Sequence, residues 1–221
     1  MKPVKIKIDL TEANKILAKL SAQERIKRVV KKISEGVVST TSGGRTSRIL
    51  PNLIQQALGK SVPTIFVDTG LYPQQTYQFL DKMEKDGIDI RYYSPKMSIK
   101  RLQALYGDLW EREGAEFDYF LGVIKHEPLN RAFRQLNANL WIRGIMGFQT
   151  EERQRTSILE YKNGLYRLHP IVDWSQKQAK QYLEKSNLPV NHEHYDLTKG
   201  LCGKKECKIG EKSGFIGGGG I

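Results

Sequence analysis

Cysteine is scarce in this chain of 221 residues: there are two, Cys202 and Cys207. That is too few for a disulfide framework, and it sets the expectation of a reducing compartment, the cytoplasm. No apolar run approaches the roughly 18 residues that a membrane-spanning helix needs, so no membrane partner is expected. The segment Met1–Lys7 lacks the apolar stretch of a secretory signal. Internal repeats are missing too. With 39% hydrophobic and 27% charged residues the chain is neither collagen-like nor disordered by composition. Its length fits one domain, or one domain with an appendage.

What the chain has in excess is positive charge, a formal +12. The excess is uneven, since residues 1–35 hold ten Lys/Arg against four Asp/Glu. A basic surface suits nucleotides, nucleic acid, acidic proteins or a membrane face. A solvated lysine face with no partner has the same composition, so charge alone assigns nothing.

Apolar residues recur at helical spacing from Leu10 to Ile33, which predicts one or two amphipathic helices with a basic outer face. Val37–Thr41 then reads as a buried strand, 42–47 as a loop, and the stretch to Leu58 as a helix stopped by Gly59. The rhythm repeats: strand at Thr64–Asp68, helix at Pro73–Lys85, strand at Ile88–Tyr93, mainly helix over 98–137, strand at Leu140–Arg143. Tyr166–Ile171 leads into Asp173-Trp174-Ser175, a capping sequence for a helix over 175–186. Such alternation predicts an α/β fold: a single doubly wound, mainly parallel sheet with helices on both faces. The expected organisation is a basic helical extension (1–35), a nucleotide-binding domain (36–197) and a mobile C-terminal segment (198–221). The last carries both cysteines and five glycines between Gly214 and Ile221.

Ligands of open α/β sheets bind beyond the carboxyl ends of the strands. The segments 42–47, 68–70, 144–153 and the loop after Asp173 fall there. Ser42-Gly43-Gly44-Arg45-Thr46-Ser47 joins a strand to a helix N-terminus, with two glycines and flanking hydroxyls, the makings of an anion cradle. A plain glycine turn with a Ser/Thr cap has the same composition. No Lys-Ser/Thr follows at the spacing of a Walker A loop.

Ser42-Gly43-Gly44 with Ser47 resembles the Ser-Gly-Gly-x-Asp-Ser loop of the PP-loop superfamily of adenine-nucleotide enzymes. An ordered series of further segments is similar to the phosphoadenylyl-sulfate (PAPS) reductase family. It comprises Phe66–Gly70 with Pro73 and Thr76-Tyr77, Tyr106-Gly107-x-Leu109-Trp110-Glu111, and Lys125-x-Glu127-Pro128-Leu129-Asn130-Arg131-Ala132. Trp141-Ile142-x-Gly144, Gln149-Thr150 and Arg153 follow, then Pro170-Ile171-x-Asp173-Trp174, Tyr182-Leu183 and Leu188-Pro189. The resemblance spans roughly residues 37–196. It implies a thiol-dependent enzyme that reduces PAPS to sulfite and adenosine 3′,5′-bisphosphate, with thioredoxin or a glutaredoxin-like protein as donor, and a homodimer. The implied substrate contacts are Ser42, Gly43, Gly44, Arg45, Thr46, Ser47, Asp68, Thr69, Gly70, Gly144, Gln149 and Arg153. No metal, flavin or other cofactor is implied, and two cysteines are too few for a four-thiolate iron–sulfur cluster.

Two departures bear on this. Thr46 stands where the superfamily has an aspartate tied to ATP cleavage, and Ile145-Met146-Gly147-Phe148 stands where the family carries adjacent arginines. The phosphate grip then falls to Arg45, Arg48, Arg143, Arg153 or Arg155, and adenylyl sulfate without the 3′-phosphate stays open as substrate. Near the C-terminus Glu206-Cys207-Lys208-Ile209-Gly210 partly matches the family's Glu-Cys-Gly-Leu/Ile-His motif. Lysines 204, 205 and 208 favour the thiolate there. Cys207 is the expected nucleophile, with Cys202 as rival or resolving partner. Two other readings of the pair are a zinc site completed by His192 and His194, and two inert thiols. His126 reads as a partly buried helix residue, the three tryptophans as core or interface anchors, and His169 as a lesser candidate for facing the ligand. Two other functions remain: an ATP-dependent PP-loop sulfurtransferase acting on tRNA, and a nucleotide-binding relic without turnover. Nucleic acid is not the expected partner.

Overall fold

The computed structural model describes residues 7–196 together with Thr198. Two short helices come first, α1 (Leu10–Leu17) and α2 (Ala22–Lys32). The break between them is written in the sequence, because Ser21 and Glu24 form a reciprocal capping box at the start of α2. Strand β1 (Val37–Thr40) and helix α3 (Ile49–Leu58) follow, with Gly59 ending α3 in the left-handed conformation (φ 67°). Then come β2 (Thr64–Val67), α4 (Gln74–Lys85) and β3 (Ile90–Tyr93). The middle of the chain holds α5 (Ile99–Tyr106), a 3-10 turn, α6 (Ala115–Leu121), a π-helical turn at Gly122–His126 and α7 (Glu127–Gln135). The chain closes with β4 (Leu140–Ile142), α8 (Glu151–Gln154), β5 (Leu159–Lys162), β6 (Leu165–Leu168) and α9 (Gln176–Lys185). Ser175 caps α9.

The strands form one six-stranded sheet in the order β3-β2-β1-β4-β6-β5, parallel except for β5 against β6. Strand alternation divides the faces. Val38, Ile65, Val67 and Trp141 point to the side covered by α7 through Leu129, Ala132 and Phe133. Leu140, Ile142 and Leu168 point to the side covered by α2, α3 and α9. Helices therefore lie on both faces, the doubly wound arrangement expected. The β5–β6 hairpin was not part of that expectation; its turn is Asn163-Gly164, both at positive φ (54° and 81°), the pair such a turn demands.

The N-terminal helices share the main core rather than hanging off it, for Leu17, Ile26, Val29 and Ile33 pack with Ile49, Leu53 and Leu140. One cation of the basic stretch is inside: Arg25, 3% exposed, donates to the Leu17 and Pro170 carbonyls and, bidentately at 2.7 Å, to Asp173. The Asn14 side chain exchanges two 2.9 Å hydrogen bonds with the Leu159 backbone, covering the edge strand. Among the described residues no helix is long and apolar enough to cross a membrane. The expected mobile segment 198–221, apart from buried Thr198, lies outside the described residues, and so do Cys202 and Cys207.

Candidate active site

The strand order reverses direction between β1 and β4, and a crevice opens beyond their carboxyl ends. It is a cavity of about 950 Å³, walled by Thr40 and Thr41 at the end of β1, Val67 and Tyr72 at and beyond the end of β2, Arg143 and Gly144 after β4, and residues of α9. That volume suits a nucleotide-sized ligand.

The floor is the loop 42–47. Thr41 Oγ1 accepts from the Gly43 N–H at 3.2 Å, and the Ser47 hydroxyl donates to the Gly44 carbonyl at 2.6 Å, so the hydroxyls hold the loop's shape. Gly43 is obligatory: its φ is 69°, and a Cβ there would stand 2.7 Å from Thr76 Cγ2. Ser42, Gly44, Arg45, Thr46 and Ser47 line the cavity, whereas Gly43 lies behind it and passes its carbonyl to the Asn191 amide at 2.8 Å.

Gly144, Gln149 and Arg153 also reach the cavity from the segment after β4. The Gln149 side-chain oxygen accepts from the Met146 N–H and from the Arg153 guanidinium, which ties the loop and its cation together. Asp68, Thr69 and Gly70, also expected as substrate contacts, are not among the residues that line the cavity. Strand β2 ends at Val67, and the next residues close a turn. Asp68 accepts from the Gly70 N–H (3.0 Å) and the Tyr77 hydroxyl (2.7 Å), while Thr69 accepts from the Leu71 N–H. Tyr72 takes the wall position instead.

Of the five arginines considered for a phosphate grip, Arg45, Arg143 and Arg153 line the cavity. Arg48 is turned inward to Asp86 at 3.0 Å, and Arg155 is exposed outside the wall. Arg143 is 8% exposed and lies over the Trp141 ring at 4.4 Å. Burial, with Arg167 and Arg153 nearby, lowers its pKa to about 10, which leaves it a cation at neutral pH.

His169 sits behind Arg143 rather than in the cavity. Its Nδ1–H donates to the Ser157 carbonyl at 2.7 Å, which leaves Nε2 as an acceptor 3.5 Å from the Arg143 guanidinium. Burial and then that guanidinium hold it neutral, its pKa lowered from 6.5 to about 3. The unfolded chain takes up this proton near the ordinary value and the folded chain does not. The stability that His169 contributes is therefore complete above pH 6.5 and is lost as pH drops toward 3, by at most about 1.4 kcal/mol per unit within that window. Urea denaturation between pH 7 and 5 reads this slope. His169→Asn, which keeps the donor to Ser157, should flatten it; an unchanged slope contradicts the assignment.

Three residues of the wall are not among the expected substrate contacts: Lys125, His194 and Asp196. Lys125, on the π-helical turn, is buried in the cavity wall and pairs with Asp196 at 3.0 Å. Its signal was present in the motif run 125–132. His194 and Asp196 come from the segment after α9, which carries no periodicity, and the sequence offers His194 only as a zinc-ligand candidate. Among the described residues no group of three His, Cys, Asp or Glu side chains is placed to hold a metal ion.

Residues 36–196 match the family model described as phosphoadenosine phosphosulfate reductase domain. The phosphoadenosine 5′-phosphosulfate reductase of a Synechococcus species is 36% identical over 184 residues, 82% of this chain and 79% of the relative. That of Vibrio cholerae is 30% identical, covering 82% and 72%. The crystal structure of PAPS reductase from Candida auris, a phosphate complex, superposes with a TM-score of 0.73 at 26% identity, over 85% of this chain and 92% of that one. The U34-tRNA thiolase NcsA from Methanococcus maripaludis reaches a TM-score of 0.56 at 15% identity, over 87% and 72%, a likeness of fold alone.

Proposed function

The chain belongs to the phosphoadenosine phosphosulfate reductase family, and we propose that it reduces PAPS to sulfite with electrons from a thioredoxin-like dithiol protein. The observation that carries the reading is the set of cations around one cavity at the switch point: Arg45 in the loop, Lys125 on the π-helical turn, and Arg143 and Arg153 beyond β4. PAPS is anionic at two places, and one arm of cations suits each. The loop 42–47 with Arg45 and Lys125 takes the phosphosulfate. The strand-end walls at Val67, Trp141 and Gly144 take the adenosine. Arg143 and Arg153 take the 3′-phosphate, replacing the adjacent arginines that the segment 145–148 lacks.

Chemistry then needs a thiolate. Cys207 attacks the sulfuryl sulfur, the S–O bond to the 5′-phosphate breaks, and its electron pair leaves with adenosine 3′,5′-bisphosphate. Cations at the loop stabilise that leaving charge. A donor thiolate next attacks Cys207 Sγ of the S-sulfonate, and sulfite departs with the S–S electron pair. The donor's second thiol resolves the mixed disulfide, so two electrons pass from the dithiol to sulfur. Reach supports this reading: Asp196 lines the cavity and Thr198 is buried beside it. Cys202 is four residues further and Cys207 nine, at most about 14 Å and about 32 Å of chain.

The test is sulfite release with reduced thioredoxin, PAPS against adenylyl sulfate. PAPS should be preferred about 10- to 100-fold in kcat/KM, the worth of charged hydrogen bonds to one phosphate, and Arg153→Ala should erase most of that preference. Equal use of both nucleotides contradicts the assignment of Arg143 and Arg153, and sulfite from neither contradicts the function.

A further inference from the structure

The segment after α9 crosses the anion loop, and its hydrogen bonds determine where one proton sits. Asn191 Oδ1 accepts from the Glu193 N–H at 3.2 Å, which orients the amide. Its Nδ2 donates to the Gly43 carbonyl at 2.8 Å and to Thr76 Oγ1 at 3.2 Å. The Thr76 hydroxyl is fully buried and already accepts from Asn191, so its own hydrogen needs an acceptor. Among the described residues the acceptor within reach is His194 Nδ1, at 3.3 Å. A neutral imidazole that accepts at Nδ1 carries its hydrogen on Nε2.

That nitrogen is at the loop. His194 is buried in the cavity wall, its ring stacked on Tyr72 at a centroid distance of 5.9 Å. Its Nε2 lies 3.3 Å from where a Cβ on Gly44 would stand, and Cδ2 lies at 3.1 Å. A side chain at Gly44 would press on the ring.

We infer that His194 is a further substrate contact: locked in the Nε2–H tautomer by Thr76 and Asn191, it offers a neutral donor to the anionic group held by the loop 42–47. The inference rests on the proposed function for the identity of that group, a phosphosulfate, but its geometry concerns any tetrahedral oxyanion at the loop. A neutral donor complements Arg45 and Lys125, because it adds direction without adding charge. Thr76 and Asn191 are positioning residues, acting through the imidazole.

Nitrogen-15 NMR of the histidine side chains in the full-length protein, at a pH where they are neutral, tests the tautomer directly. The signal lost in His194→Gln identifies the residue. The expected result is an Nε2–H pattern that shifts as inorganic sulfate is titrated in, and that moves toward Nδ1–H in Thr76→Val. Binding of adenosine 5′-phosphosulfate and PAPS gives the second readout. His194→Ala should weaken both about 10- to 100-fold, while His194→Gln, whose amide donates from near the Nε2 position, should stay within about threefold. An Nδ1–H tautomer, an Nε2 signal indifferent to sulfate, or full affinity in His194→Ala overturns the inference. If the wild-type chain makes no sulfite from PAPS, the proposed function fails while the sulfate titration still decides the role of His194.

Discussion

A Cys207→Ser chain is expected to release no sulfite from PAPS, a fall of about three orders of magnitude or more in kcat, while still binding adenosine 3′,5′-bisphosphate. Two physical reasons combine. A serine hydroxyl is not ionised near neutral pH, whereas a cysteine beside lysines 204, 205 and 208 supplies thiolate. The second reason is one of oxidation state. Serine attacking the sulfuryl group forms a sulfate ester, in which no electron pair can be returned to sulfur when a thiol arrives. Sulfite needs an S–S bond to leave from. Cys202→Ser should retain formation of the S-sulfonate and alter at most the donor-dependent step. Unaffected turnover in Cys207→Ser, with loss in Cys202→Ser, would exchange the two assignments.

Breaking the Lys125–Asp196 pair is expected to cost about 3–5 kcal/mol of folding stability from either side. The two side chains are 4% and 2% exposed, so removing either takes the counter-charge at 3.0 Å from a buried ion. Asp196 also accepts from the Thr198 N–H at 3.0 Å and from the Thr198 hydroxyl. The pair thus ties the segment after α9 to the π-helical turn and holds it against the cavity. Asp196→Asn and Lys125→Met should each lower the midpoint of chemical denaturation. Lys125→Met combined with Asp196→Leu should lower it by less than the two single losses together, because neither charge is then stranded. Nucleotide affinity should not recover in the double variant, since the Lys125 cation is gone. Single losses below about 1 kcal/mol, the value of a solvated surface pair, would contradict this reading.

Features fixed by neighbours in sequence were legible without the structure. The strand–loop–helix unit from Val37 to Gly59 follows from a β-branched run, two glycines and a terminal glycine. The start of α9 follows from Ser175. The position of the crevice follows from the alternation of strand and helix, because topology places ligands at strand ends. Long-range contacts escaped. That Asp68 accepts from the Tyr77 hydroxyl nine residues on, closing the turn after β2, is not written in the strand itself. Asn191 reaches Gly43 across 148 positions and Lys125 reaches Asp196 across 71, and no local pattern announces either. Asn163-Gly164 is a hairpin signal that the strand–helix alternation on both sides leaves unread.

The central claim, that this chain reduces PAPS through a covalent intermediate on Cys207, is tested most directly by the intact mass of the reduced protein after mixing with PAPS and no donor. The account predicts a gain of one SO₃, located on the peptide containing Cys207 and removed by reduced thioredoxin with release of sulfite. An unchanged mass while adenosine 3′,5′-bisphosphate still binds the protein would contradict it.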